Sequence, residues 1–543
     1  MSELESYIPR FTRQDLLGHQ LIFLVDFEWA GKIVHLAERD LVAPIGPGNA
    51  DVQYFSGLEW GGTFEQLYTL FGDEPDSKDV GVTLHLYPHI DVPLLISQGH
   101  ILGAAGARFR VWAEGTNAVL TLVEGKFKDP SWDINPLPVV GTIEEAPFLD
   151  EGQWPPPTHK ITLDTWPNHD DAVDGEFYPT IFGAPGRSGG HMHATPGLYV
   201  DKTNHLLLVA GHHVDCGGSK IWVSNTSDHT DDYLTVVNGV DALGQPIALV
   251  DMDEIGTITI AAGDSYWCRW YDSTGALGYG IIDEGKPVKT ADQVLKWWLR
   301  RSTVRWDAGQ IAVSEPILAA YAIDCYVMAD PEERITPYFW IQDHLLPILP
   351  VSASIGPRGL QLPAWDYFSD STGTPFHIQE GVNAERRGAV EYTNLDDIVS
   401  TVGVAFRHDP DAGDYLGMIT LSGNPAELTA NEESLPDLYL RMGFQSYNST
   451  NTLEVNTEVV ETEATAGRIA QWKARRYATQ YMRLAYNMST EGASLLAGTP
   501  IRITDAGRHF AGKMGLVESI QLQSNDLLTI TLLLPAIDFG NPA

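Results

Sequence analysis

Short apolar runs, each closed by a turn bearing glycine, asparagine or aspartate, recur along most of this chain and leave little room for long helices. A strand buries alternate residues and needs a tight turn at its end, so the pattern suits many short strands. LIFLVDFEW (21–29) and KIVHLA (32–37) flank Ala30-Gly31 and read as a hairpin. VGVTLHLYP (80–88) alternates, with Val82, Leu84 and Leu86 on one face. RFRVWAEG (108–115) and AVLTLVEG (118–125) read as another hairpin across Gly115-Thr116-Asn117. The expected fold is mainly β with minor α+β, multidomain: several small β-barrel or sandwich domains plus a short helical segment.

With 543 residues the chain exceeds one ordinary core, and four units are expected. Residues 1–152 form an N-terminal β-rich unit. Pro155-Pro156-Pro157 reads as a stiff linker rather than core. Residues 158–288 form a small β domain with strands at 205–211, 219–224, 232–237 and 256–263. Residues 289–385 form an α+β segment. In TADQVLKWWLRR (290–301), Ala291, Val294, Leu295, Trp298 and Leu299 lie on one helical face, and Thr290 with Gln293 makes a capping box. SEPILAAYAID (314–324) is expected to open with a Ser cap and Pro in the first turn, and TPYFWIQDHLL (336–346) with Thr336 and Pro337. Residues 386–543 form a C-terminal β domain with one helix. Its first strands are read in EYTNLDDIVSTVGVAFRHD and DYLGMITLSG.

That one helix, TAGRIAQWKARRYATQ (465–480), places Ala466, Ile469, Ala470, Ala474, Tyr477 and Ala478 on one face and Arg468, Lys473, Arg475 and Arg476 on the other. The chain carries 34 basic and 72 acidic residues, a net −38, so four cations within one short helix stand out. They read either as a solvated face or as a docking face for an acidic neighbour. The overall charge repels a nucleic-acid backbone, and no sequence-specific nucleic-acid partner is expected. No apolar run is long enough to span a membrane, and no stable membrane insertion is expected. The N-terminus, MSELESYIPRFTRQDLL, lacks the apolar core of a signal peptide, so synthesis in a cytoplasm is expected.

Motifs for chemistry are sparse. His191, His193, His205, His212, His213 and Cys216 form a His-rich stretch that reads as loop or interface histidines, with a metal site as the alternative. Neighbouring acids such as Asp170-Asp171, Asp231-Asp232 and Glu332-Glu333 read as solvated charges rather than a glycosidase pair. GAPGRSGG (183–190) lacks the Gly-Lys-Ser/Thr ending of a phosphate cradle and reads as a surface loop. SYWCRWY (265–271) reads as a core or interface strand, or as a ligand-stacking face. GxSxG and HExxH are absent, and three widely spaced cysteines make no disulfide framework. No enzyme activity, catalytic residue, cofactor or metal is assigned from these residues.

Three segments resemble the baseplate hub, or tail-tip, proteins of long-tailed bacteriophages and phage-like particles. FYPTIFGAPGR followed by LLLVAGHHVD resembles the hub pattern in which a Pro-Xaa-Ile/Val-Phe-Gly turn opens a small inserted β domain. ADQVLKWWLRRST…ILAAYAIDCYV…WIQDHLLPILP…RGLQL resembles the central α+β segment, and GRIAQWKARRYATQYMRLAYNMS…LLAGTPIRITDAGRHFAGKMGLVESIQLQSNDLLTITLLL the closing domain. The resemblance implies a virion location at the tail tip and a homotrimeric ring joining the tail tube to distal tip proteins along the DNA exit path. It implies as partners the tail-tube or distal tail protein, the tape-measure protein, and tip or fibre proteins. Some proteins of this kind hold an iron–sulfur cluster on C-terminal cysteines; here the last cysteine is Cys325, and one chain has no Cys₄ set. The alternative reading, from the tryptophan and acid content, is a carbohydrate-binding or carbohydrate-degrading tip protein acting on the host surface.

Overall fold

Residues 20–536 are described by the computed structural model, apart from 68–78, 118, 133–137, 146–152, 187–194, 216–219, 226–229, 254–257, 259, 261–262, 271–278, 284–285, 357–358, 367–374, 410–412, 431–433, 489–491, 493–494 and 524–527. The architecture is mainly β, divided among several sheets and one closed barrel.

The N-terminal sheet has Leu21–Trp29 at its centre, paired with Lys32–Ala37 on one side and Gly106–Ala113 on the other. Ala30 and Gly31 both take positive φ, 52° and 74°, as a two-residue turn requires to follow strand twist. Phe23, Val25 and Phe27 enter the main core. Ile22 and Leu24 on the other face are buried too, against Ala43, Ile45 and Tyr54. This double cover explains why the strand is nearly all apolar. Asp26 shares the second face. Arg110 Nη1 donates to its carboxylate at 2.6 Å and the Tyr54 hydroxyl at 2.7 Å, and His35 Nδ1 lies 2.8 Å away. Burial pushes the Asp26 carboxyl up, but Arg110 and His35 hold it far below the usual range. Helix α1 (Val92–Ser97) is capped by Asp91.

Past this sheet, the chain from Trp154 to Phe182 forms a collar between barrel and body. Trp154 exchanges backbone hydrogen bonds with Ile335, and Thr180–Phe182 pairs with Cys325–Val327. Ile161 and Tyr178 pack on the barrel residues Leu198, Val200, Leu208 and Ile247. The tri-proline stretch is therefore seated rather than a free spacer: Pro155 is buried and Trp154 meets Trp297 edge-on at 5.1 Å. The barrel order is Thr195–Asp201, Leu206–Ala210, Pro246–Asp251, Asp231–Val240, Lys220–Asn225 and Tyr266–Arg269, with the last strand pairing back on the first. Tyr266, Cys268 and Trp270 of SYWCRWY point into its core, the core-strand reading of that run. The strand expected at 256–263 lies mostly outside the described residues.

Helix α2 (Ala291–Leu299) has the expected Thr290–Gln293 capping box and buries Val294, Leu295, Trp298 and Leu299, together with Trp297. Helix α3 (Ala308–Leu318) corrects the expected start at Ser314. It begins more than a turn earlier, where the Asp307 carboxylate accepts the Gly309 and Gln310 N–H groups, and Pro316 lies inside it. Ser314 is buried and donates to the Leu362 carbonyl at 2.8 Å. Helix α4 (Pro337–Trp340) runs on through a wider turn, Ile341–Leu345.

The run EYTNLDDIVSTVGVAFRHD is not one strand. Ala384–Tyr392 ends before a tight turn at Leu395–Asp397, capped by Asn394, and Val399–Asp409 enters a different sheet. That sheet orders Leu435–Pro436, Asp414–Ser422, Val399–Asp409 and Asn451–Asn456. Among the described residues three helices belong to this region, α5 (Pro425–Ala430), α6 (Leu438–Tyr447) and α7 (Glu463–Tyr477), where one was expected. Its buried residues Val402, Val404, Ile469 and Trp472 share a core with α2, α3 and α4.

The C-terminal sheet orders Phe376–Gln379, Pro500–Asp505, Phe510–Gln523, Leu528–Pro535, Tyr481–Met488 and Ala384–Tyr392. Its apolar face is continuous with the N-terminal core, and Thr63–Leu67 pairs with Phe510–Gln523. The two ends of the chain thus build one core together, while residues 399–478 belong with the helical segment.

Candidate functional site

The turn after the collar is a tightly built junction. Phe182 sits among Trp297, Trp298 and Trp340, with ring centroids 5.0, 6.0 and 6.1 Å away. Gly183 has φ +63°, and a Cβ there would meet the Ile323 carbonyl oxygen at 2.1 Å, so only glycine fits. The Ala184 N–H donates to Asp324 Oδ1 and the Gly186 N–H to Glu461 Oε1, each at 2.9 Å. Both acids are buried, and each accepts a backbone donor that would otherwise lack a partner. The Gly183 N–H reaches the Val288 carbonyl and the Trp270 N–H reaches the Pro185 carbonyl. Chain entering the barrel is thereby tied to chain leaving it.

Beside this turn opens a cleft of about 530 Å³. Asp324, Asp330, Glu333, Asp343, Glu458 and Glu461 line it, against Arg334. Phe339 contributes an exposed ring, Trp340 a buried one, and His344 and His408 complete the polar wall. A concave surface with this excess of carboxylates attracts cationic side chains and repels phosphate. Cys325 also lines it; burial, with Asp324, Glu458 and Glu461, pushes its thiol well above the usual value, which leaves it protonated and a poor nucleophile. The cleft was not legible in the sequence, because its acids come from two distant stretches, 324–343 and 458–461.

The four cations of α7 do not present one solvent face. Arg468 is exposed and lies 5.9 Å from the Tyr321 ring centre. Lys473 is buried over the Trp472 ring at 4.5 Å, and Arg476 is buried 5.5 Å from the Tyr477 ring centre. Arg475 is half-buried over Tyr439 at 4.6 Å, with Asp437 and Asp366 acting on it. Alternation along the helix shows which residues are charged but not that aromatic faces take the cations in, a packing that only the fold reveals.

The described histidines of the His-rich stretch each have a structural partner. His205 Nδ1 lies 2.7 Å from Asp253, His213 Nε2 lies 3.0 Å from the Gly239 carbonyl, and His212 Nε2 accepts from the Ile181 N–H at 2.9 Å. His191, His193 and Cys216 lie outside the described residues, as do residues 187–190 of the glycine-rich run. Among the described residues no group of His, Cys, Asp or Glu is placed to hold a metal ion, and no helix is long and apolar enough to cross a membrane. The neighbouring acids serve the fold or face solvent: Asp170 caps a turn, Asp231 accepts from the Trp222 indole, and Glu332 and Glu333 are exposed.

No protein-family model and no curated protein matches the chain. Among solved structures, the chain is similar to the 43 kDa tail protein of prophage MuSo2 from Shewanella oneidensis, with 10% identity, a TM-score of 0.36, and coverage of 94% of this chain and 98% of that one. The tail protein from Neisseria meningitidis MC58 matches with 9% identity, a TM-score of 0.36 and coverage of 94% and 96%. A chain of the virion of a native gene transfer agent particle matches with 10% identity, a TM-score of 0.34 and coverage of 69% and 89%.

Proposed function

We propose that this protein is a structural component of a phage-type tail tip, a hub-like ring subunit that meets the tail tube on one side and distal tip proteins on the other. The observation that carries the reading is the PTIFGAPG turn. The resemblance implied that this motif opens a small inserted β domain. Here it is a built junction from which a closed barrel departs and to which it returns. The C-terminal run quoted for the same resemblance forms most of a sheet that closes on the N-terminal core. A net charge of −38 suits a wall past which DNA slides without sticking.

In this reading the chain works by assembly and not by catalysis, and the exposed Arg468 with the half-buried Arg475 would be the part of α7 that meets an acidic neighbour. The acidic cleft is the feature that keeps the carbohydrate alternative in view, since sugar cleavage needs facing carboxyls. Native mass spectrometry of the purified chain, alone and mixed with its tail-tube protein, tests the reading. A ring of about three copies that captures the tube protein is expected. A monomer that ignores the tube protein, or release of reducing sugars from host polysaccharide abolished by Asp343→Asn or Glu458→Gln, would overturn it.

A further inference from the structure

One seam between the barrel and the collar runs past Gly211, apart from the contacts of Asn168 and Asp170 with Lys202 and Tyr199. The Gly211 N–H donates to the Pro179 carbonyl at 2.8 Å, and a Cβ on Gly211 would lie 2.4 Å from Tyr178 Cβ, so the two backbones are in close approach. On the barrel hairpin, Asp241 accepts the Tyr178 hydroxyl at 2.9 Å, and Gln245 Oε1 lies 2.9 Å from His159 Nε2. The His159 ring stacks on Tyr178 with centroids 5.8 Å apart. At the centre, the buried Ile181 N–H donates to His212 Nε2, while His212 Nδ1 lies 3.1 Å from the His213 carbonyl.

These bonds allow one state of the His212 ring. Nε2 accepts, so it carries no proton; the single ring proton sits on Nδ1 and goes to the His213 carbonyl. A second proton would set two donors, Nε2–H and the Ile181 N–H, against each other and leave both buried without an acceptor. The other chargeable groups acting on the ring are Arg301 beyond α2, His159 of the collar and His213 beside it, all cationic or able to become so. His159 feels Arg301 as well, opposed by Asp241 and the Gln245 bond. Acid therefore adds positive charge to a seam that already faces a guanidinium.

We propose that the barrel is held on the collar by an acid-released joint, with the neutral ring of His212 as its pin. Burial, with the cations around it, pushes the His212 ring down to about 3, and burial also lowers His159. The barrel closes its own hydrogen-bond ladder, so it stays folded when the seam loosens. Acid then frees a folded module to change its position on the body.

Hydrogen exchange of the full chain, followed by mass spectrometry from neutral pH to about pH 4 and corrected for intrinsic rates, tests the joint. Amides of residues 178–182 and 211–214 are expected to lose about tenfold of their protection, while strands 220–225 and 231–237 keep theirs. In His212→Gln the carboxamide oxygen takes the Ile181 bond without titrating, and seam protection is expected to stay within about twofold across the same range. A wild-type seam indifferent to pH, or an equal loss in His212→Gln, would overturn the proposal. Should that variant not fold, exchange of the imidazole C2 hydrogen in the wild-type chain decides. A midpoint well below the ordinary histidine value of about 6.5 supports the pin, and an ordinary midpoint for His212 overturns it.

Discussion

The barrel and the C-terminal sheet are both strongly curved, but they close differently. The barrel is sealed by backbone, since Tyr266–Arg269 returns to Thr195–Asp201 and every strand has two neighbours. In the C-terminal sheet the end strands Phe376–Gln379 and Ala384–Tyr392 follow each other in sequence and share only a single bridge, Glu380–Ala384. Side chains span the remaining gap. Arg386 donates to Asp505 through Nε and Nη2, Tyr486 donates to the same carboxylate at 2.8 Å, and Arg508 Nη1 reaches the Tyr486 hydroxyl. Gly507 is part of this device, because a Cβ there would lie 2.0 Å from Arg386 Nη2. A backbone-sealed barrel closes its own hydrogen-bond ladder and meets the body through the collar and the Phe182–Gly186 turn. A sheet closed by side chains, with its apolar face in the N-terminal core, stands or falls with the body.

The largest expected effect breaks the barrel's root. Phe182→Ala empties the space among three tryptophans and should cost about 4 kcal/mol in denaturant unfolding of the body. Hydrogen exchange should show strands 220–225 and 231–237 of the barrel still protected when the turn is lost. Simultaneous loss of barrel protection would contradict a barrel that folds on its own hydrogen-bond ladder. Next comes the sheet closure. Asp505→Ala leaves the Tyr486 hydroxyl and the Arg386 guanidinium without their shared acceptor and should cost about 2 kcal/mol. Because the core is shared, this loss should also lower the protection of Leu21–Trp29 in the N-terminal sheet, an effect that a self-contained sheet would not transmit.

How much of this was legible in the sequence depends on how local each cause is. The Ala30-Gly31 hairpin and the Thr290–Gln293 box are decided within a few residues, and both stand where the pattern places them. The start of α3 was missed because Ser314-Glu315-Pro316 imitates a first turn, whereas the true cap, Asp307, precedes the low-contrast run Ala-Gly-Gln. The change of sheet at Asn394 was masked by β-forming residues on both sides of a four-residue turn. Long-range partners left no local signal. Thr63–Leu67 finds Phe510–Gln523, and Asp324 and Glu461 meet across one turn, through contacts between segments hundreds of residues apart that no periodicity encodes.

Acid sharpens the comparison further. His212 has a folded value below its unfolded one, so its neutral ring stabilises the barrel seat fully above about pH 6.5, and that contribution fades as pH falls toward its folded value of about 3. At Asp505 burial acts upward, but the Arg386 and Tyr486 hydrogen bonds prevail and its carboxyl is lowered. Its stabilisation is present above the unfolded value of about 3.9 and is lost only below that. In a pH series followed by hydrogen exchange, the seat should loosen first and the C-terminal sheet later. The reverse order would contradict both assignments. The smallest effect belongs to the exposed cation of α7. Arg468→Ala should change unfolding stability by less than about 0.5 kcal/mol, yet weaken capture of an acidic tail partner in a pull-down. An unchanged capture would remove α7 from the assembly surface.

Electron cryo-microscopy of tailed particles carrying this protein tests the central claim most directly. A closed ring of copies at the distal end of the tail tube is expected, with each barrel rooted at its Phe182–Gly186 turn. Particles whose tail end is complete without this chain, or density showing it as a lone peripheral subunit bound to surface glycan, would contradict it.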